Sequence, residues 1–267
     1  MNIPILNLEG KKIKEINLSR QFNEEFHPNL IWRAVITLQA NKRQPYGADP
    51  EAGKRASAKL SRRRRDYKTA YGHGISRVPR KILWKRGSQF GWVGANVPGT
   101  VKGRKAHPPK SSKILIKKIN KKENRKAIRS ALSAVMNKDL VIKRNHKLPS
   151  IYPLAIENKF QDSSKVQEVI KILKNLGFEQ ELSRLTRHIR AGKGKFRGRK
   201  YRNKVGPLIV VSDKCKLMQN SRNILGLDVI EVRNLNAELL APGTQAGRLT
   251  IFTEAALEKL DKENLFM

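Results

Sequence analysis

Residues 61–80 read SRRRRDYKTAYGHGISRVPR and belong to a basic segment, residues 42–113, that separates two regions with periodic apolar patterns. This segment holds twenty Lys and Arg residues against three acidic ones, and glycine and proline recur throughout it. Its apolar residues lack the spacing that buries one face of a helix or of a sheet. We therefore expect a long loop with neither helix nor strand, which a polyanion orders when it binds.

The charge of the whole chain points to the same kind of partner. The 267 residues include 57 Lys and Arg and 22 Asp and Glu, for a formal net charge of +35. Self-repulsion of this size opposes compactness, so the charge indicates one half of a neutralised complex, most simply with nucleic acid. A membrane partner would need an amphipathic basic helix or a lipidation signal, and we find neither. With no signal peptide and no apolar run long enough to span a bilayer, we expect a cytoplasmic protein.

The sequence offers little support for an enzyme or a metal site. Cys215 is the only cysteine, which excludes a disulfide framework and a multi-cysteine zinc site. The five histidines are far apart in sequence, and we expect each to face solvent or RNA. Four polar residues follow predicted strands: Glu157, Ser212, Asp213 and Glu254. Each is explained more simply as a helix cap or a first-turn carboxylate than as a catalyst, so we predict no catalytic residue, no cofactor and no metal site. Structural Mg²⁺ or K⁺ bound through RNA is the one exception.

The regions on either side of the basic segment have the periodicity of strands and helices. Apolar patterns predict strands at residues 3–8, 12–18, 152–156, 208–211, 229–232 and 249–252. Helical spacing predicts helices at residues 28–40, 120–137, 166–176, 179–188 and 255–260. Asn120 and Glu123 have capping-box spacing, and residues 162–164 and Thr253 are expected to cap the next helices. The alternation predicts one α/β domain with a mostly parallel sheet, residues 1–41 and 114–267, into which residues 42–113 are inserted.

A second basic stretch, residues 184–204, contains no acidic residue. Gly192, Gly194 and Gly198 let its backbone approach a sugar-phosphate chain, and Phe196 and Tyr201 offer rings on which unpaired bases can stack. The alternative, a disordered basic linker, does not explain its position between a predicted helix and a buried strand. The basic face of the helix at 120–137 is a further candidate for phosphate contact, although simple solvation is the alternative.

The residues that we predict to bind RNA are basic or aromatic and lie in these three regions. They are Arg43, Arg55, Arg62, Arg63, Arg64, Arg65, Lys68, Arg86, Lys102, Arg104, Lys105, Arg125, Arg190, Lys193, Lys195, Phe196, Arg197, Arg199 and Tyr201. Trp84, Phe90 and Trp92 are expected to pack on bases or riboses.

One run of the second stretch, HIRAGKGKFRGRKY at residues 188–201, resembles the signature of a known family. The family is the universal large-subunit ribosomal protein L-four, in its archaeal and eukaryotic form. The resemblance continues in QPYGADPEAGKRASA (44–58), GISRVPR (74–80), KKINKKENRKAIRSALSA (117–134), NILGLDVIEVRNLN (223–236) and LLAPGTQAGRLTIFTEAAL (239–257). It covers nearly the whole chain in the family's order.

The resemblance implies a three-layer α/β/α domain on the outer surface of the large ribosomal subunit and a long extension that penetrates ribosomal RNA. It also implies that the tip of the extension helps to line the nascent-peptide exit tunnel. By position, the tip residues are Gly72, His73, Gly74, Ile75, Ser76, Arg77, Val78, Pro79 and Arg80. Many relatives have a glycine-rich run after this proline, whereas Lys-Ile-Leu-Trp stands at residues 81–84. The implied partners are large-subunit ribosomal RNA, neighbouring ribosomal proteins and the nascent peptide, with no homo-oligomer.

Two other functions fit part of the sequence. A DNA-compacting, chromatin-like protein would share the charge, but it would not need one long loop that interrupts an α/β domain. An RNA-processing enzyme would need a carboxylate or histidine cluster, which the sequence does not suggest.

Overall fold

The computed structural model describes residues 2–87 and 89–267. The chain forms two compact units, which we call the sheet unit (Met1–Lys42 and Ile116–Met267) and the basic unit (Arg43–Leu115). The described strands are β1 (Asn2–Leu6), β2 (Lys12–Asn17), β3 (Arg80–Arg86), β4 (Gln89–Gly94), β5 (Ala155–Ile156), β6 (Arg187–Ile189), β7 (Tyr201–Asn203), β8 (Leu208–Val211), β9 (Asp228–Glu231) and β10 (Thr250–Thr253). The described helices are α1 (Pro28–Asn41), α2 (Lys121–Met136), α3 (Lys138–Lys143), α4 (Val166–Asn175), α5 (Glu179–Arg184), α6 (Lys216–Asn220), α7 (Ala237–Leu240) and α8 (Glu254–Lys262).

The sheet unit is built on a sheet with the strand order β2-β1-β5-β10-β8-β9. β1 and β2 form an antiparallel pair, and the other four neighbouring pairs are parallel. β10 has a central place, where Phe252 pairs with Ala155 of β5 on one side and with Val210 of β8 on the other. The predicted α/β class is therefore confirmed, with a mixed sheet.

Apolar side chains pack against both faces of this sheet. In β8, Leu208 and Val210 join one apolar cluster, whereas Ile209 and Val211 join the other, as the alternation of side chains along a strand requires. The first cluster includes buried residues of α1, α2 and α8, and the second includes buried residues of α4. Because helices cover both faces, all four residues of β8 are fully buried, which accounts for their continuous apolar sequence.

Three helix starts differ from those that the sequence predicts. Asn120 precedes α2, but its side chain makes no capping hydrogen bond. Lys165, rather than a residue of the stretch 162–164, precedes α4. The Thr253 hydroxyl donates to a carbonyl of β8, and Asn158 Oδ1 accepts the second amide of α8 at 2.7 Å instead. At α8, a side chain from a distant part of the sequence thus replaces the local cap that spacing suggested.

Two predicted elements are shorter than expected. The strand predicted at 152–156 is reduced to β5, and Pro153 in that stretch has no amide hydrogen to donate to a neighbouring strand. The helix predicted at 179–188 ends at Arg184, because the chain turns into β6 three residues later.

The basic unit contains an antiparallel hairpin of β3 and β4, so the expectation that residues 42–113 hold no strand is wrong. Ile82 pairs with Trp92, and Trp84 pairs with Gly91. In β4, Phe90 and Trp92 are two positions apart, which places them on one face, whereas the register of β3 shifts between Ile82 and Trp84. Gly87 supplies a positive φ of 57° at the turn. This short period is easily overlooked among so many basic residues.

Few of the described residues of the basic unit are buried. Among its described residues only Ala70 and Ala95 are buried, so the unit has no apolar core comparable to that of the sheet unit. No helix in the described part of the chain combines the length and the apolar character needed to cross a membrane.

Candidate nucleic-acid interface

Two stretches of the basic unit run close together. The Ala48 amide donates to the Pro109 carbonyl at 2.9 Å, and the Asn96 side-chain amide donates to the Ala56 carbonyl at 3.1 Å. At Gly53, with a φ of +78°, an added Cβ would lie 2.3 Å from the Arg104 amide nitrogen. Only glycine permits this approach, which brings the candidate RNA contacts Arg55 and Arg104 to neighbouring arms of one structure.

The positive charge of the basic unit is largely uncompensated. Among the described residues of this unit, the ion pair is between Arg55 and Asp49. Asp66 instead accepts hydrogen bonds from the Ser61 hydroxyl and from its neighbour's amide, which lower the pKa of the Asp66 carboxyl. The four predicted contacts at residues 62–65 are all exposed. An external polyanion can therefore meet these cations without displacing an internal partner.

Aromatic rings hold several of the basic side chains in place. The Arg64 and Arg77 guanidinium carbons lie 5.1 and 4.5 Å from the centre of the Tyr71 ring. The Arg80 guanidinium lies 5.2 Å from the centre of the Trp92 ring. Cation–π contacts of this kind restrict the side chains while leaving their charge available.

Trp84 differs from the other rings of the hairpin. Its indole covers Gly91 so closely that an added Cβ there would lie 2.0 Å from the indole nitrogen. The side chain is nevertheless 55% exposed. Phe90 and Trp92 are only partly exposed and contact each other, with ring centres 6.1 Å apart. Trp84 is thus the ring of the three best placed to accept a base.

The predicted tip is an exposed turn. Gly72 and Gly74 have φ angles of +79° and +68°, and an added Cβ at either would meet nothing within 4 Å. The Arg80 side chain folds back to donate to the Ser76 carbonyl at 2.6 Å. Arg80 belongs to β3 and is half-buried, so it closes the turn, while residues 72–77 remain exposed.

The second basic stretch forms a hairpin rather than a linker or a helix. β6 and β7 are antiparallel, and the Arg190 amide donates to the Lys200 carbonyl at 2.7 Å just beyond them. Phe196, in the connecting loop, is 88% exposed. The Tyr201 ring lies 4.8 Å from the Arg187 guanidinium carbon. Lys193, Lys195, Arg197 and Arg199 are exposed on the same loop.

The basic face of α2 serves partly to hold the fold together. Arg129 is half-buried and donates to Glu24 at 2.8 Å and to the Phe266 carbonyl at 2.7 Å. The hydrogen bond from Arg129 lowers the pKa of Glu24. Arg125 donates to the Met267 carbonyl at 2.6 Å but remains exposed.

The expectation that every histidine faces solvent or RNA is wrong for His146. Its side chain is 1% exposed and lies 2.7 Å from Glu181, which is fully buried and also accepts Arg184 Nε at 2.8 Å. Burial lowers the pKa of His146, against the opposing effect of Glu181. Burial alone would raise the pKa of Glu181, but hydrogen bonds from Arg184, His146 and the Lys147 amide outweigh it and leave this pKa below its usual value.

Two arginines of the sheet unit were not among the predicted functional residues. Arg248 is 1% exposed and forms an ion pair with Asp228. Arg144 is half-buried, and burial followed by repulsion from Arg248 and Arg184 lowers its pKa to about 10. Neither arginine lies in the three regions that the sequence analysis assigned to RNA binding, and no local pattern indicated their burial.

The polar residues at strand ends form no catalytic cluster. Glu157 accepts the Leu8 amide, Asp213 pairs with Lys259, and Glu254 pairs with Lys14. Within residues 2–87 and 89–267, no group of three or more His, Cys, Asp or Glu could hold a metal ion.

The sheet unit has an α/β fold, and the described part of the basic unit has no comparable apolar core. Both units expose uncompensated cations. These features define a polyanion-binding class of protein. Residues 16–263 match the ribosomal protein L4/L1 family, and the chain belongs to this family.

Relatives that match over nearly their full length support this family assignment. The chain is 48% identical to large ribosomal subunit protein uL4 of Nanoarchaeum equitans, with all of both chains covered. It is 44% identical to the protein of that name from Methanosphaera stadtmanae, with 97% of this chain and 95% of the relative covered. It is 43% identical to that of Methanocaldococcus jannaschii, with 97% and 98% covered. The archaeal-type resemblance and the prediction of a structural, non-enzymatic protein are confirmed, whereas the chromatin-like alternative has no support among these relatives.

Proposed function

We propose that this chain is a structural constituent of the large ribosomal subunit in the cytoplasm, where it binds large-subunit ribosomal RNA and contacts neighbouring ribosomal proteins. The observation that carries the proposal is the full-length match to relatives named large ribosomal subunit protein uL4. The exposed, uncompensated cations of the basic unit supply the chemistry that such a role requires. Neutralising phosphates releases counterions, which favours binding regardless of base sequence.

In this proposal residues 42–113 form an RNA-penetrating loop inserted in a globular domain of residues 1–41 and 114–267. In support, Asn41 Oδ1 accepts the Lys117 amide at 2.9 Å, so the chain leaves and re-enters the sheet unit at one place. The arginines at 62–65 would contact phosphates, and Trp84 would stack on a base. Ordering a backbone costs about 1–2 kcal/mol per residue, and RNA contacts would offset this cost where apolar burial does not.

The exposed turn at residues 72–77 is proposed to border the nascent-peptide exit tunnel. Its glycines suit a tight reversal in a confined space, and no bulky side chain packs against Gly72 or Gly74. Metal ions have no role in this proposal beyond Mg²⁺ or K⁺ bound through RNA. We expect no homo-oligomer.

Sedimentation of native extract tests the main proposal. The chain should co-migrate with large subunits on a sucrose gradient and should leave that position after RNase treatment. Co-migration with the nucleoid, sensitive to DNase instead, would contradict it.

A shortened turn tests the tunnel assignment separately. Replacing residues 72–75 with a single glycine spares Ser76 and Arg80, which close the turn, and should leave the yield of large subunits unchanged. The response of translation to a stalling peptide should change, because the constriction would widen. Loss of subunits without a tunnel phenotype would show that the turn is an assembly element.

A further inference from the structure

The sheet unit contains a cavity of about 870 Å³ between the end of α3, α5 and the β6–β7 hairpin. A cavity of this size lies within the range of sites that hold small ligands, about 300–1,000 Å³. Its basic lining residues are Arg144, Arg184, Arg190, Arg202 and Lys204. Arg184, Arg190, Arg202 and Lys204 belong to the second basic stretch that the sequence analysis identified, whereas Arg144 lies outside it.

The lining has an excess of positive charge. Its described residues include these five cations and no Asp or Glu. Glu181 lies outside the lining and forms an ion pair with Arg184 at 2.5 Å, so it compensates one of the five. Arg144, Arg190, Arg202 and Lys204 form no ion pair with another described residue. The cavity is therefore suited to an anion.

Arg144 has the donors that such an anion needs. Its guanidinium is held by the Pro242 carbonyl at 2.6 Å and by the Gln245 carbonyl. A guanidinium has five N–H groups, and in the described part of the chain the other three have no protein acceptor. The pKa of Arg144 is lowered to about 10 by burial and by the neighbouring Arg248 and Arg184, so the side chain is still cationic at neutral pH. A half-buried cation of this kind is stabilised by an anionic partner.

The floor of the cavity is rigidly built. Arg184 donates from Nε to Glu181 at 2.8 Å and from a terminal nitrogen to the Val205 carbonyl at 2.8 Å. His146, which also lines the cavity, is fixed by its 2.7 Å contact with the same carboxylate. On the hairpin side, Arg190 Nε donates to the Arg199 carbonyl at 3.1 Å. These contacts hold the cationic groups before any ligand arrives.

We propose that this cavity holds the backbone phosphate of one unpaired RNA nucleotide, with Arg144 as the inner ligand and Arg202 and Lys204 at the rim. The inference deepens the proposed function and rests on it. An unpaired nucleotide can turn its base and ribose into a cavity together with its phosphate, whereas a nucleotide within a helix keeps its base paired and stacked. The apolar lining residues Ile189 and Val205 can contact its ribose or base.

The occupant is a nucleotide within a strand rather than a free one, because the hairpin that lines the cavity continues into an exposed basic loop. Phe196 on this loop is 88% exposed, and the loop has no acidic residue. A strand that leaves the cavity therefore meets further phosphate ligands and a stacking ring.

The test uses the full chain and titrates large-subunit ribosomal RNA at several salt concentrations. Arg144→Gln should lower the slope of log K against log salt by about 0.7, as expected for one lost contact with an unpaired strand. Lys204→Gln, an exposed rim residue whose loss should not affect folding, should lower it by a similar amount. The matched control is Lys143→Gln, which removes an exposed cation one residue away that does not line the cavity, and it should leave the slope unchanged.

The outcomes separate the two proposals. No salt-dependent RNA binding by the wild-type chain would overturn the proposed function itself. Normal wild-type binding, with slopes for Arg144→Gln and Lys204→Gln equal to that of Lys143→Gln, would overturn only the cavity assignment.

Adenosine monophosphate is the probe for a free nucleotide. At micromolar concentration it should not raise the melting temperature of the wild-type chain. A rise that Arg144→Gln abolishes would show that the cavity takes a free nucleotide, and the assignment to an RNA strand would be wrong.

Discussion

The sheet unit and the basic unit acquire their structure in different ways. The sheet unit buries two apolar clusters on opposite faces of one sheet, and each large apolar side chain removed from water contributes about 1.5–3 kcal/mol. The basic unit buries two alanines among its described residues, and ring–cation contacts and backbone crossings hold its shape. One chain thus combines a region that is stabilised by apolar burial with a region that has little apolar burial and much uncompensated charge. Substitutions in the two units should therefore change different measurable quantities.

The largest effect is expected from the arginines at residues 62–65 of the basic unit. Changing all four to serine should lower the slope of log K for ribosomal RNA against log salt by about 3, because four phosphate contacts are lost together. Unfolding of the sheet unit in denaturant should be unchanged. RNA titration and denaturant unfolding, measured on the same variant, check both statements.

A matched control carries four serine substitutions at exposed lysines of the sheet unit: Lys159, Lys165, Lys171 and Lys216. An equal loss of slope in this control would show that net charge, rather than the basic unit, determines binding.

The next largest effect is expected in the core of the sheet unit. Phe252→Ala should lower the free energy of unfolding by about 3–5 kcal/mol, because the ring is fully buried in the central strand. Phe90→Ala in the basic unit should leave the unfolding midpoint unchanged, since that ring contributes to no apolar core. Equal destabilisation by the two variants would contradict the division between the units.

The buried pair of the sheet unit should show an effect of about 3 kcal/mol. Glu181→Gln removes the carboxylate from His146 and Arg184, and breaking a buried ion pair of this kind destabilises by about that amount. Urea unfolding at pH 7 measures the loss. A change smaller than that caused by replacing an exposed carboxylate such as Glu258 would show that the pair does not stabilise the fold.

The same pair predicts how stability depends on pH. The pKa values of both Glu181 and His146 are lowered in the folded chain, so the unfolded chain binds protons more readily at each site. Stability should fall as the pH drops below about 6.5 for the histidine and below about 4.3 for the glutamate. His146→Gln should remove the loss between pH 7 and 5, and an unchanged profile in that variant would assign the loss to other groups.

The smallest effect is expected at the exposed ring of the hairpin. Trp84→Ala should weaken RNA binding by about 1–3 kcal/mol, the usual contribution of one stacked base, with no change in unfolding. Gly91→Ala should reproduce the loss, because the added methyl group displaces the indole. Phe90→Ala is the comparison, and a larger loss there would make Phe90 the stacking ring.

The sequence predicted best those elements whose pattern is local. The continuous apolar run at Leu208–Val211 and the stripe that begins at Pro28 became β8 and α1 at nearly the predicted positions. The order of strands could not be predicted in the same way, because parallel neighbours such as β1 and β5 are about 150 residues apart. The failed cap of α8 has the same cause, since Asn158, 97 residues away from the amide that donates to it, caps this helix.

The sequence predicted the composition of the candidate interface but not its secondary structure. Basic residues at 62–65 and 193–199 could be read from the sequence, because exposure of a dense charge run is nearly obligatory. The two hairpins within the basic stretches were missed, since few apolar residues mark their period. Arg144 and His146 were missed because their roles depend on α5 and on the loop before β10, which no local pattern connects to them.

The central place of β10 has a consequence for the synthesis of this chain. β10 separates β5 from β8 in the sheet, yet it lies at residues 250–253 of 267. While the protein is being translated, β5 and β8 lack the strand that lies between them, so the parallel sheet cannot close until residues 250–253 have been added. The basic unit is completed about 135 residues earlier. A newly emerging chain therefore exposes the uncompensated cations of the basic unit long before the strands of the sheet unit are all present, and chance polyanions can meet these cations during that interval.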